Sequence, residues 1–215
     1  MAYDLEEQEQ LATLKAWWSK YGNLVTWIVV IGLGSYSAWA GWNLYQRDQS
    51  SRASQVFDEL QKAVTAKDRT KIQAASIEIK SKFGRTAYAQ MAAFSAAKAA
   101  VDANELSNAK AELQWIIESG NNDEYKAIAK VRMAGILLDE KAYDEALKQL
   151  SGDFPLPLAG LVADRKGDIF VAQSKIEEAR IAYQLALEKT DAKNPGHQLI
   201  QLKLEAIGGV AKAAA

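Results

Sequence analysis

The chain has 215 residues, 26 basic and 27 acidic, for a formal net charge of −1, with no cysteine and one histidine. A balance this close to neutral leaves no electrostatic footprint for nucleic acid. The lack of thiols and the single imidazole exclude thiol catalysis and metal sites built from cysteine and histidine.

The first 21 residues form a short tail with four acids, Asp4, Glu6, Glu7 and Glu9, and two bases, Lys15 and Lys20. From Tyr21 to Gln46 no side chain is charged. The residues from Asn23 to Leu44 rise about 33 Å as a helix, enough to cross the hydrocarbon core of a bilayer. Residues 22–45 therefore read as a single transmembrane anchor. Trp17, Trp18 and Tyr21 precede the span, and Trp39, Trp42 and Tyr45 close it. Rings of this kind favour the headgroup level at both interfaces. Gly34 and Ala38, and again Ser37 and Gly41, have the small-xxx-small spacing that admits a second membrane helix. Small residues are also common in membrane helices without such a partner.

Ala38-Trp39-Ala40 has the spacing of a signal-peptide cleavage site. The acidic start and the apolar continuation through Trp42 and Leu44 favour an uncleaved anchor. Lys15 and Lys20 before the span balance Arg47 and Arg52 after it, so charge leaves the orientation open. No polybasic cluster marks anionic lipid as a specific ligand.

Residues 46–215 are rich in helix formers and show no alternation of period two, so the soluble part is expected to be all-α. Ala75, Ala109, Ala146 and Ala179 recur at spacings of 34, 37 and 33. Three before each stand Ile72, Leu106, Tyr143 and Ile176, and four after each stand Ile79, Leu113, Leu150 and Tyr183. Twelve before each is a small residue: Ala63, Ala97, Ala134 or Gly167. Nine before come Ala66, Ala100, Leu137 and Phe170.

These columns predict four helix hairpins, each crossing closely at its small residues and stacking on its neighbours into a solenoid. Turns are expected at Lys67-Asp68-Arg69, Asn104-Glu105, Glu140-Lys141-Ala142 and Gln173-Ser174-Lys175. The pattern resembles the tetratricopeptide repeat, best from Ala127 to Leu150, although no unit has the early Trp or the closing Pro. Gln46 to Phe83 holds no Gly or Pro, so the membrane helix is expected to run unbroken into the first hairpin and to hold the domain at a fixed angle. Gly196 to Ile207 reads as a lone capping helix, followed by Gly208-Gly209 and an alanine tail expected to fray.

No catalytic constellation is present. His197 has no elbow motif near it and reads as a capping or solvent-facing residue. Gly32-Leu33-Gly34 lies inside the span and is no phosphate loop. No cofactor and no metal is expected. A solenoid of this type offers the first helix of each hairpin as a groove. Counting from the small residue, the groove candidates are Met91, Ile128 and Leu161; Phe94 and Val131, with Asp164; Lys98, with Gly135 and Asp168; and Val101, Leu138 and Val171. An apolar groove suits unfolded or exported polypeptides. Two arrangements remain open: an accessible groove, or one covered by the terminal helix or by the Phe154-Pro155-Leu156-Pro157 loop.

The opening Tyr3-Asp4-Leu5-Glu6-Glu7-Gln8-Glu9-Gln10, then Leu14-Lys15-Ala16-Trp17-Trp18-Ser19-Lys20-Tyr21-Gly22-Asn23, one span and a degenerate repeat domain together resemble the YfgM family of proteobacterial inner-membrane proteins, over essentially the full chain. The resemblance implies a type II anchor in the inner membrane, with the N-terminus cytoplasmic and residues 46–215 periplasmic. It implies a non-enzymatic adaptor or chaperone, associated with the SecYEG translocon and with a membrane-anchored prolyl isomerase-like chaperone, that assists newly exported proteins. It also implies a tether for a cytoplasmic stress-response regulator, which only the first 21 residues could serve. From the residues themselves, a structural scaffold for cell-envelope assembly or division remains the alternative.

Overall fold

The computed structural model describes residues 2–209, with side chains from Glu7 onward. The side chains of Asp4 and Glu6 and the alanine tail lie outside the described residues. Among the described residues the chain is all-α, with no strand. It divides into two compact units, Met1–Ser51 and Arg52–Ala215.

The helix α1 (Ala2–Thr65) provides the described structure of the first unit and the opening of the second. Its lack of Gly and Pro past Gln46 accounts for the unbroken backbone there. Within it lies the one stretch, among the described residues, long and apolar enough to cross a membrane, and none of that stretch is buried. Leu24, Trp27, Ile28, Ile31, Leu33 and Trp39 all stand exposed. Thr26 turns its hydroxyl inward and donates to the Gly22 carbonyl at 2.8 Å, which keeps that polar group satisfied within the helix.

The second unit is a stack of hairpins. The end of α1 pairs with α2 (Arg69–Phe83), α3 (Ala87–Asp102) with α4 (Leu106–Ser119), α5 (Asp123–Asp139) with α6 (Tyr143–Gln149), and α7 (Ala159–Ala172) with α8 (Ile176–Lys189). A final helix, α9 (Pro195–Ala206), packs on α8. Asn194 caps it by accepting from the Gly196 amide at 2.8 Å, with Pro195 in the first turn. The helix α6 is short because Gly152, at φ 90°, and Pro155 end it early; a 3-10 turn at Leu156–Leu158 leads into α7.

All four hairpin turns share one geometry. Lys67, Asn104, Lys141 and Ser174 sit in the left-handed region at φ 55° to 61°. In each, the next residue's amide reaches back five positions: Asp68 to Ala63, Glu105 to Ala100, Ala142 to Leu137 and Lys175 to Phe170, at 2.8 to 3.0 Å. This is the bonding that closes a helix through a left-handed residue. Here no glycine is used, so each turn carries the Cβ penalty of that conformation.

The repeated columns form the core. Ile79, Leu113, Leu150 and Tyr183 are buried in their clusters, and Ala109, Ala146 and Ala179 are fully buried beside them. Ala66 and Ala75 are less covered, because the first hairpin has no hairpin before it. Gly167 stands where the other units have alanine because its partner Tyr183 is larger than Ile79, Leu113 or Leu150. A Cβ at Gly167 would lie 2.4 Å from the Tyr183 ring.

Between hairpins, polar bridges repeat along the second helices. Arg69 meets Glu105 at 2.6 Å, Ser76 donates to Glu112 at 2.9 Å, and Lys110 meets Glu140 at 2.7 Å. Lys80 reaches both Glu112 oxygens at 2.7 Å.

Two predictions test this packing by thermal or urea unfolding. Gly167→Ala is expected to destabilise by about 2 kcal/mol through overpacking against Tyr183, and Tyr183→Leu is expected to be less harmful in that background than alone. Lys141→Gly relieves the left-handed strain and is expected to stabilise by about 0.5 kcal/mol net of glycine's extra chain entropy, while Lys141→Val destabilises by about 1 kcal/mol.

Candidate protein-binding face

Side chains two positions before each small residue, Gln61, Ser95, Arg132 and Arg165, run across the first helices. Gln61 Nε2 donates to Ser95 Oγ at 2.9 Å, joining α1 to α3. The Arg132 guanidinium of α5 stands over the Phe94 ring of α3, 4.5 Å from its centre. Phe94 also meets Tyr125 of α5 edge to face, with ring centres 6.0 Å apart. Phe57 and Tyr88 form a similar tilted pair at 5.8 Å. Gly135 lies against Arg165 of α7: a Cβ there would stand in ordinary contact, 3.5 Å from the guanidinium carbon. The face is thus tied from helix to helix by aromatic and cationic contacts, each worth roughly 0.5–1 kcal/mol.

The residues expected to line the groove fall into three groups. Met91 is 40% exposed, and Val101 and Leu161 are each 42% exposed, so they present apolar surface. Lys98 is exposed and pairs with Asp102 of its own helix at 2.8 Å. Phe94, Ile128, Leu138 and Val171 are half-buried; Leu138 and Val171 lean on the core. Val131 corrects the expectation. It is only 3% exposed and belongs to the central core cluster with Val162 and Ile169, because the stacking of α7 on α5 covers its position. The small residues of the span, Gly34, Ser37, Ala38 and Gly41, all lie exposed on α1, and a Cβ at Gly34 or Gly41 would meet nothing within 4 Å.

Asp164 and Asp168, on groove positions of α7, are taken by the capping helix. Lys203 of α9 reaches both at 2.8 Å. Tyr183 donates its hydroxyl to Asp168 at 2.8 Å, and Lys203 stands 5.7 Å from that ring. Burial pushes the Asp164 carboxyl above its ordinary value, the Asp168 charge adds to the rise, and the Lys203 hydrogen bond opposes it. Burial, and then the bond to Asp168, push the Tyr183 hydroxyl up, so it stays a donor. The terminal helix therefore occupies the α7 end of the face. Phe154 packs on the central core with Lys130 5.7 Å from its ring, and Met91, Val101 and Leu161 stay exposed.

Tyr88 and Tyr125 stand nine before their small residues, and Arg132 and Arg165 stand two before theirs. Extending the same count to those two columns would have found them.

Lys203→Ala leaves the neighbouring Asp164 and Asp168 carboxylates with only the longer Arg165 pair at 3.5 Å. It is expected to destabilise by about 2 kcal/mol, reduced from the fully buried case by partial exposure. The Asp164 carboxyl binds its proton more readily folded than unfolded. Its contribution is therefore fully present below the ordinary 3.8 and is lost as pH rises through the raised folded value. In melts of the native chain and Asp164→Asn, the native chain is expected to gain on the variant as pH falls from about 7 to about 4. The opposite slope would mean that Lys203 outweighs burial.

A family model described as tetratricopeptide repeat-like domain matches residues 15–209. The chain is similar to the ancillary SecYEG translocon subunit of Neisseria gonorrhoeae, 28% identical over 211 residues, covering 96% of this chain and 100% of the relative. It is 29% identical to the protein of that name from Escherichia coli over 201 residues, covering 92% and 95%. It is also 29% identical to the one from Haemophilus influenzae over 188 residues, covering 84% and 91%. No solved structure matches. The hairpin columns and the match over residues 15–209 agree, and the chain belongs to the tetratricopeptide repeat-like domain family, with relatives of the YfgM type that its opening residues resemble.

Proposed function

We propose that the protein is a non-enzymatic, single-pass membrane adaptor that works beside the SecYEG translocon of the inner membrane. The tail of residues 1–21 is cytoplasmic, and the repeat domain is periplasmic. The first-helix face receives partner chains, among them newly exported polypeptides and a membrane-anchored prolyl isomerase-like chaperone. The observation that carries this reading is the pairing, in one chain, of an exposed uncharged helical stretch with a row of exposed apolar side chains at Met91, Val101 and Leu161. The first confines the protein to a bilayer, and the second offers a surface that adapts to apolar segments. The names of the relatives support the choice of the translocon as neighbour.

Photoreactive residues placed at Trp39 and at Met91 test the proposal in cells, with mass spectrometry of the adducts. Translocon subunits at the first site and diverse exported chains at the second are the expected result. A single envelope partner at Met91, with no translocon adduct at Trp39, would replace the adaptor reading with a structural scaffold. Removing residues 1–9 and finding an altered stress response would add the regulatory tether to the tail.

A further inference from the structure

We propose that residues 11–21 of the tail form an interfacial helix that lies on the bilayer surface beside the anchor, with one apolar side sunk among the lipids. This goes beyond the adaptor reading and rests only on its membrane anchor.

The apolar side chains of this stretch share one side of α1. At about 100° per residue, Leu11, Leu14, Trp17, Trp18 and Tyr21 fall within an arc of about 120°. Ala12, Thr13, Lys15, Ala16, Ser19 and Lys20 fall outside it. All five apolar side chains are exposed. Their rings form one patch, with Trp17 6.3 Å from Trp18 and 5.7 Å from Tyr21, centre to centre. If the helix ran straight out from the span, Leu11 would stand about 17 Å from Gly22 with the whole stripe in water.

Lipid is the occupant that these residues fit. The stripe continues into the exposed apolar surface of the span, and indole and phenol rings favour the headgroup level. Lys15 and Lys20 flank the stripe on long stems that reach back to water. The acids of the tail outnumber its bases, so the attraction is apolar rather than electrostatic. A second copy fits poorly. In a heptad with Leu11 and Trp18 at a, and Leu14 and Tyr21 at d, the e and g positions hold Gln10, Lys15, Trp17 and Gly22, with no acid to meet the lysine.

The chain also has a place to bend. Gly22 is the only glycine before Gly32. Thr26 donates to its carbonyl at 2.8 Å, and back-bonding of this kind bends helices. The Trp18 ring seats on the same glycine, where a Cβ would lie 2.9 Å from it.

The chain has no cysteine, so single cysteines can carry a nitroxide label without competition. The full chain is placed in phosphatidylcholine nanodiscs at one copy per disc. Leu11→Cys and Leu14→Cys report the stripe, Thr13→Cys and Ala16→Cys the other side, and Ile31→Cys the span. Each label is relaxed by oxygen and by a water-soluble nickel chelate. The oxygen-to-chelate ratio at Leu11 and Leu14 is expected to be about threefold above that at Thr13 and Ala16, and below that at Ile31. Trp17→Glu with Trp18→Glu should bring the Leu11 label down to the Thr13 value, with circular dichroism to check the helix. An unchanged Leu11 label in that variant would overturn the apolar stripe as the cause. Equal chelate access at all four tail labels would overturn the interfacial helix, while a lipid-exposed Ile31 label keeps the anchor. Stripe labels closed to both reagents would overturn it in favour of contact with protein. An Ile31 label open to the chelate would overturn the anchor and the interfacial helix together.

Discussion

Close helix crossing at small residues is the constraint on which this domain depends. Two helices can bring their backbones together only where one presents little more than a methyl group. Ala97, Ala134 and Gly167 do this on the first helices, and Ala109, Ala146 and Ala179 on the second. Once the crossing points are set, the larger partners Leu113, Leu150 and Tyr183 have one place to go, and they are buried there. The substitution of glycine for alanine at 167 shows how tightly the pair is coupled: the volume removed from one helix is the volume added by the Tyr183 ring on the other.

That crossing also decides which side of each first helix stays outside. With one side committed to the second helix and another to the next hairpin, the remaining side carries Met91, Phe94, Arg132 and Arg165. Neighbouring first helices then touch through ring and guanidinium contacts as well as through buried aliphatic side chains such as Val131. At one end the row is stopped by α9, whose Lys203 neutralises Asp164 and Asp168. These two acids, standing next to each other on α7, would otherwise repel, and burial already disfavours the charge of the first.

Most of the architecture was legible in the chain because it is periodic. The hairpin turns, the crossing residues, the unbroken α1 and the final helix all follow from column spacing and from where Gly and Pro stand. The left-handed residues at the turns were not legible, since Lys67, Lys141 and Ser174 lack the glycine that normally signals that conformation. Val131 was misplaced because its column sits at the edge of the exposed side. The column's exposure depends on how closely the next hairpin packs, and Val131 shares its buried cluster with Val162 and Ile169 of α7. The Arg132–Phe94 and Lys203–Asp164 contacts join side chains 38 and 39 positions apart. Periodicity sets the columns, but it does not reveal which members of two columns touch.

That same Lys203–Asp164 hydrogen bond joins residues 39 positions apart, about one repeat of chain. Every hairpin therefore finds its stabilising neighbours within about one repeat of chain, and loop closure costs little at each step. A polypeptide built this way can assemble in the order in which it emerges, each hairpin serving as template for the next. The final helix then acts as the closing piece: until it arrives, Asp164 and Asp168 face each other without their lysine, and the last hairpin is the least settled part of the stack.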